Sequence, residues 1–407
     1  MDFDYAEGVK DRALAQIAVV GAGTMGSSIA LTFAQKGHSV LVKETSQEFL
    51  EKGYANIERM LAGRRKKGLS EEESLAIRER ISGTTDYENF ADVELVIEAA
   101  SENIEVKKAI FEALDEWCNL DCILASNTSS LSITQLGSFT RRADKVLGMH
   151  FFNPAHIMKL VEVVPGLETS HETVLYALNL AASIGKLAVR VEECASFLVN
   201  RLLGRYMNES LYVLTSGLAG VEEIDQAVVD YVMPIGPLAL RDMNGADIGL
   251  SVARYNWQEY GPRFAVPQLL EVMVESGVLG QKTGAGFYAY DGDKKRSGVN
   301  PQLSELIERV ARFETPAKGK MQVENLFLPM INEAFLALQE RICQPEDLDS
   351  ALKAGLGMRK GPLELASDMG LKQCLQRMEE NFQIYGERFR PAPLLKRFVW
   401  ANRNSVF

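Results

Sequence analysis

The chain has 407 residues, 46% hydrophobic and 24% charged, with a formal net charge of -11 at pH 7; its length argues for two or three packed domains, and its acidic balance argues against nucleic acid or an anionic membrane as the main partner. The opening residues MDFDYAEG are acidic rather than basic and then apolar, and the apolar runs are strand-sized, so neither a signal peptide nor a membrane span is expected. Five cysteines, Cys118, Cys122, Cys194, Cys343 and Cys374, of which only the first two are near each other, have no histidine cluster beside them and are expected to be free thiols in a reducing cytoplasm, with no metal site.

Residues 15–20 form an apolar run expected to be a strand. It leads into Gly21-Ala22-Gly23-Thr24-Met25-Gly26, and 27–36 reads as a helix stopped by Gly37. The next strand is 39–42, with Glu44 just beyond it. Strand, glycine turn, helix, strand and acid is the context a dinucleotide fingerprint requires, although an ordinary strand-to-helix turn is the alternative. Gly21 permits the tight turn, Gly23 leaves room for a pyrophosphate and Gly26 lets helix and strand pack closely, while the helix start offers free N–H groups to the phosphates. A carboxylate at Glu44 accepts ribose hydroxyls and repels a 2′-phosphate, which favours NAD over NADP. Lys43 is expected on the opposite face of the strand.

Helices at 48–66 and 71–80 follow, the first ending in the basic run Arg64-Arg65-Lys66-Lys67. Then come strand 95–98, helix 105–117, strand 122–126, a helix after Ser132 and strand 145–149. This alternation predicts an α/β, doubly wound, Rossmann-type domain. Asn127-Thr128-Ser129-Ser130 closes one strand with small polar groups, which can hydrogen-bond a substrate oxygen beside a nicotinamide or cap the next helix. Among the four histidines His150 stands out, because it is placed at the end of an apolar strand, where α/β sheets face their ligands. Glu162 sits inside a second apolar run, 158–164, and a carboxylate buried there needs a partner. If the two strands pair, Glu162 can fix the imidazole tautomer of His150 and stabilise its charged form; a surface histidine and an edge glutamate are the alternative.

From about residue 190 the pattern becomes helical. Asn208-Glu209 is repeated as Asn332-Glu333 after 124 residues, and Gly236-Pro237 as Gly361-Pro362 after 125. The spacing predicts an internal duplication: a nucleotide-binding domain over 1–189, a first all-α domain over 190–299 and its duplicate over 300–407. Asn200 falls opposite Glu324, so an amide that contacts substrate is expected only from the first copy. The polar stretch 291–298 reads as an exposed linker.

These residues resemble the L-3-hydroxyacyl-CoA dehydrogenase family. The strings that carry the resemblance are GAGTMG at 21–26, EAASENIEVK at 98–107, SNTSS at 126–130, HFFNPAHIMKLVEVVPG at 150–166, FLVNRLL at 197–203 and KTGAGFY at 282–288. Together they span nearly the whole chain, and the doubled helical half resembles the dehydrogenase portion of multifunctional β-oxidation enzymes without their hydratase-isomerase portion. The resemblance implies that His150 is the catalytic base, Glu162 its partner, and Ser129 and Asn200 ligands of the substrate oxygen. It implies an NAD site formed by Gly21, Gly23, Thr24, Met25, Gly26 and Glu44, with Glu102, Lys107 and Asn127 on the cofactor side. Two departures are Glu44, where many members have Asp, and Ala155-His156 beside the catalytic loop.

The function implied is reversible oxidation of L-3-hydroxyacyl-CoA to 3-ketoacyl-CoA, in a crevice between the sheet domain and the first helical copy. Arg64, Arg65, Lys66 and Lys67 either reach the phosphates of coenzyme A or solubilise a helix end. The duplication favours a monomer, with a self-dimer or association with a thiolase as alternatives. A dehydrogenase of another hydroxy acid and a non-catalytic nucleotide-binding relative are the competing readings, against which the HFFNP and MKLVEV strings speak.

Overall fold

The computed structural model describes residues 16–311 and 320–406; the acidic opening and position 15, where the first strand is predicted to start, lie outside the described residues, as does part of the second helical copy. The chain divides into two compact units, Met1–Cys194 and Ala195–Phe407.

The first unit is built on one eight-stranded sheet with the order β3-β2-β1-β4-β5-β6-β7-β8. Its strands are β1 (Gln16–Val20), β2 (Ser39–Lys43), β3 (Ile81–Thr84), β4 (Leu95–Glu98), β5 (Ile123–Ser126), β6 (Val146–Phe151), β7 (Leu160–Pro165) and β8 (Leu187–Arg190). Strands β1 to β6 pair in parallel; β7 runs antiparallel to β6, and β8 parallel to β7. Helices α1 (Thr24–Ala34), α2 (Gln47–Arg65), α3 (Glu71–Glu79), α4 (Ile104–Trp117), α5 (Ile133–Gly137) and α6 (His171–Ser183) connect the strands. The central strands are apolar throughout because a parallel sheet wrapped in helices buries both faces. Polar residues written just ahead of the helices start them: Ser46, Ser70, Asn103, Ser132 and Ser170 each accept from a backbone N–H of the first turn.

Among the differences from the sequence reading are two shifted boundaries and two strands that were not predicted, one of them β8. Helix α1 begins at Thr24, three residues early, because Gly23 already serves as its N-cap. Strand β6 runs on to Phe151, where pairing with Val161 of β7 continues the ladder, so His150 lies within the strand. Strand β3 was not predicted: Ile-Ser-Gly-Thr has no apolar run, and parallel pairing with β2 makes it a strand.

The second unit holds two successive helical sets. The first is α7 (Phe197–Thr215), α8 (Val221–Tyr231), α9 (Pro237–Asn244), α10 (Ala246–Tyr260) and α11 (Gln268–Glu275), with α12 (Leu303–Ala311) leading to the second. The second is α13 (Val323–Gln339), α14 (Pro345–Leu356), α15 (Pro362–Met369), α16 (Leu371–Tyr385) and α17 (Pro393–Trp400). The duplication is visible atom by atom. Asp225 accepts from Leu238 N and Ala239 N at the start of α9, and Asp349 accepts from Leu363 N and Glu364 N at the start of α15. A Cβ added at Gly236 or at Gly361 would stand 2.2 Å from the capping aspartate, which explains the repeated Gly-Pro. A 3-10 turn precedes the last helix of each set, Gly261–Phe264 before α11 and Gly386–Phe389 before α17.

The stretch 291–298 is not a plain linker. It forms the tip and one side of an antiparallel hairpin, β9 (Tyr288–Tyr290) with β10 (Arg296–Val299). The hairpin is anchored on Asp242, whose carboxylate accepts from Phe287 N, Tyr288 N and the Tyr290 hydroxyl. Burial raises Asp242 to about 6, against the pull of those hydrogen bonds. The corresponding residue of the second set is Ser367, which turns its hydroxyl back to Leu363 O.

Candidate active site

The carboxyl edge of the parallel sheet gathers most of the singled-out residues. β1 pairs with both β2 and β4, so the turn after β1 lies at the switch point of the sheet, where α/β folds open a crevice. Gly21 has φ +98°, and a Cβ there would stand 2.8 Å from Ala99 O beyond β4. At Gly26 an added Cβ would lie 1.8 Å from Gly21 O, so only glycine lets α1 start this close to the strand. At Gly23 an added Cβ would meet nothing within 4 Å. No side chain caps α1 and its first turn holds no acid, which leaves the first-turn N–H groups around Thr24 and Met25 uncapped, with a partial positive charge. Glu44 closes the other side: Oε1 accepts from Ala22 N at 2.6 Å and Oε2 from Thr45 N at 3.0 Å. Lys43 turns away and lies over the Tyr87 ring, with its ammonium held below the usual lysine range by burial. The loop therefore fits a dinucleotide, with the pyrophosphate at Gly23 and α1 and the ribose toward Glu44.

His150 and Glu162 are direct register partners across the antiparallel β6–β7 pair, so their side chains leave the same face of the sheet. Nδ1 of His150 lies 2.7 Å from Glu162 Oε2, with His150 6% exposed and Glu162 fully buried. The Phe152 ring packs 4.6 Å from the imidazole. The contact at Nδ1 fixes the orientation of the imidazole, with Nε2 as its other ring nitrogen. Asn127 braces the same strand end, its Oδ1 accepting from Phe151 N at 2.9 Å.

Glu102 organises the loop after β5. Its Oε1 accepts from the Thr128 hydroxyl (2.7 Å), Ser129 N (2.9 Å), the Ser129 hydroxyl (3.2 Å) and the Ser130 hydroxyl (3.1 Å). Burial pushes the Glu102 carboxyl up, but Lys107 and these hydrogen bonds outweigh it and hold the group below the usual carboxylate range. Lys107 lies behind Glu102 rather than on the open edge. It is 1% exposed, with Nζ 2.7 and 2.8 Å from the two oxygens of Glu98 and 3.5 Å from Glu102. Glu98 also accepts from the Ser126 hydroxyl and from Ala100 N, and so ties together the ends of β4 and β5. Nothing in the sequence pattern set this buried acid apart from its strand.

The basic run divides. Arg65 donates to the Ser74 hydroxyl at 2.7 Å and lies 3.4 Å from Glu71, so it is engaged with α3. Lys66 and Lys67 are exposed, and Arg64 is half-buried. His156, the unusual residue of its loop, is joined through Nδ1 to the Ser28 hydroxyl of α1 at 2.8 Å. Burial, then Arg64, Lys186 and Lys67, hold its imidazole below the usual histidine range. In the second unit Asn200 stands half-buried in the first turn of α7, and Glu324 occupies the matching place in α13. Among the described residues no cluster of histidine, cysteine or acidic groups could hold a metal, and no helix is long and apolar enough to cross a membrane.

Comparison with known proteins agrees with this geometry. The family model described as 3-hydroxyacyl-CoA dehydrogenase, NAD binding domain, matches residues 16–194. The model described as 3-hydroxyacyl-CoA dehydrogenase, C-terminal domain, matches twice, at 197–290 and 321–406. The crystal structure of 3-hydroxybutyryl-CoA dehydrogenase from Escherichia coli superposes with a TM-score of 0.85 at 31% identity, covering 96% of this chain and 99% of that one. The 3-hydroxybutyryl-CoA dehydrogenase of Clostridioides difficile is 44% identical over 279 residues, which is 68% of this chain and 99% of the relative. The peroxisomal fatty acid beta-oxidation multifunctional protein MFP2 of Arabidopsis thaliana is 34% identical over 402 residues, and the match takes in 95% of this chain but 55% of the plant protein. The chain thus spans little more than half the length of its plant multifunctional relatives.

Proposed function

The chain belongs to the 3-hydroxyacyl-CoA dehydrogenase family, and from that membership we propose that it catalyses the reversible, NAD-dependent oxidation of an L-3-hydroxyacyl-CoA to the 3-ketoacyl-CoA. The observation that carries the reading is the buried His150–Glu162 pair at the same sheet edge as the glycine loop. When bound over residues 21–26, NAD supplies the hydride acceptor for C3 of the substrate. His150 takes the hydroxyl proton at Nε2 as the C–H bond is broken, and returns it when the ketone is reduced. Glu162 holds the imidazole in place and offsets the charge it gains. Ser129 is assigned the substrate oxygen, its loop being fixed by Glu102; the same assignment gives Asn200 that oxygen as a second donor. Glu44 selects NAD by accepting the ribose hydroxyls.

Arg64, Lys66 and Lys67 are read as contacts for the phosphates of coenzyme A. We place the protein in the cytoplasm as a monomer, with a dimer or a thiolase complex as the competing assemblies; five cysteines outside disulfides and the internal pairing of helical sets support this. The test is oxidation of NADH by the purified chain with four-, eight- and sixteen-carbon 3-ketoacyl-CoA substrates. Turnover on at least one, lost in His150→Gln, is the expected outcome. Saturable NADH binding without turnover on any of them would instead mark a nucleotide-binding protein without this activity.

A further inference from the structure

Glu209 of α7 and Glu333 of α13 occupy equivalent places in the two helical sets, and so do Arg263 and Arg388 in the two 3-10 turns. Each arginine reaches across to the other set's glutamate. Arg263 Nη2 lies 3.3 Å from Glu333 Oε1, and Arg388 Nε lies 3.3 Å from Glu209 Oε2. Arg205 joins the two sides, donating one amine to Arg263 O and the other to Arg388 O. The two sets therefore cross-pair as two subunits related by a two-fold axis would.

The two sides are not equally filled. Beside Glu333 stands Arg201, fully buried over the Tyr260 ring at 4.5 Å. It donates from Nε to Glu333 Oε1 at 2.8 Å and from Nη1 to Glu340 Oε2 at 2.7 Å. Beside Glu209, the counterpart of Arg201 is Asn325 and the counterpart of Glu340 is Ser216. Where one side holds a guanidinium and a carboxylate, the other holds a cavity of about 500 Å³ whose lining includes Glu209, Ser216, Asn325, Tyr385, Arg388 and Lys320. Glu209 is 7% exposed; Arg388 is its ion-pair partner, and among the described residues it accepts no hydrogen bond. Nε of Arg388 is buried with no hydrogen-bond acceptor, as is the equivalent Nε of Arg263, so the difference between the sides lies in the missing guanidinium and carboxylate and not in this atom. Burial raises the Glu209 carboxyl, against the pull of Arg388 and Arg205. Polar groups so placed favour a ligand that completes their hydrogen bonds.

We propose that this cavity binds a small zwitterion of amino-acid size that carries a guanidinium and a carboxylate. The guanidinium lies against Glu209 and the Tyr385 ring, as Arg201 lies against Glu333 and Tyr260; the carboxylate meets Arg388 and Lys320. The ligand is zwitterionic because the two groups replaced on this side are the guanidinium of Arg201 and the carboxylate of Glu340; Lys320, whose counterpart is Ser196, is a further cation for the ligand's carboxylate. A cation alone adds charge beside Arg388 and Lys320, and an anion alone puts no guanidinium beside Glu209 in the place that Arg201 fills beside Glu333. The planar fork of a guanidinium matches a carboxylate edge better than an ammonium does.

Titration calorimetry of the full chain with free L-arginine tests the proposal. Saturable binding at one site per chain is expected. L-Citrulline, with a neutral group of the same shape, and agmatine, without the carboxylate, are each expected to bind about tenfold or more weakly. Glu209→Gln is expected to abolish arginine binding with NADH affinity unchanged. The double variant Asn325→Arg, Ser216→Glu supplies the missing pair from the chain itself, and is expected to raise the unfolding temperature while removing the arginine site. No saturable binding of L-arginine, equal binding of L-citrulline, or binding that survives both variants would each overturn the assignment.

Discussion

His150 and Glu162 lie twelve residues apart in the chain and face each other across one ladder rung, which makes their contributions separable by substitution. His150→Gln keeps a polar side chain of similar reach but cannot take up the proton. It is expected to lower kcat by about 10²–10⁴ while NADH affinity, read by fluorescence titration, stays within about twofold. Glu162→Gln keeps the shape and removes the charge that offsets an imidazolium; a loss of about a hundredfold in kcat with little change in KM is expected. The pair was legible in the sequence because a histidine and a glutamate each sat in an apolar run, and two such runs in succession pair. Its register was not legible, since it depends on how β6 and β7 align. Glu98 and the bond between His156 and Ser28 were not legible either: an acid at a strand end and a histidine in a loop carry no signal until the fold brings Lys107 and α1 against them. Among the basic residues, changing Lys66 and Lys67 to Ser is expected to raise KM for acyl-CoA more than for a thioester lacking the nucleotide, whereas Arg65→Ser should act on stability instead, through Ser74.

At the level of elements, the starts of α9 and α15 are the clearest repeated device. Asp349 is raised to about 6, by burial first and by Glu364 as well, against two backbone donors. Its folded value therefore exceeds that of the unfolded chain. The native state holds the proton more tightly, so this group's contribution to stability is fullest below the unfolded value, near pH 4, and is lost as pH rises through about 6. Urea unfolding at a series of pH values should show the wild type losing stability relative to Asp349→Asn over that window; a constant difference would contradict it. Gly361→Ala forces a Cβ to 2.2 Å from Asp349 and is expected to destabilise by about 1–3 kcal/mol. The elements that the sequence indicated lie within a few residues of their predicted bounds, whereas strands β3, β8, β9 and β10 were not indicated. Two of these share a cause. Strands β3 and β10 read Ile-Ser-Gly-Thr and Arg-Ser-Gly-Val, with neither alternation nor an apolar run, and pairing with a neighbour rather than propensity makes them strands.

For the molecule as a whole, the duplication predicts the assembly. Helix α7 packs along α13, and the two sets exchange ion pairs within one chain. Sedimentation at micromolar concentration is expected to give 45.1 kDa, the mass of one chain; twice that mass would show that a different surface associates. The repeat itself was legible from two short strings, but the cavity beside Glu209 was not, because it arises where equivalent residues differ rather than where they agree. One position carries this further. Arg205 bonds to the same carbonyl in both 3-10 turns, and its counterpart in the second set is Pro329, a residue with no donor to offer. In a homodimer every inherited change is made twice, and a residue on the axis must tolerate meeting itself; two guanidiniums there would repel each other. Fusion of the halves into one gene lifts that constraint. Each half can then drift separately, and a substitution that would cost a dimer twice is felt here only once.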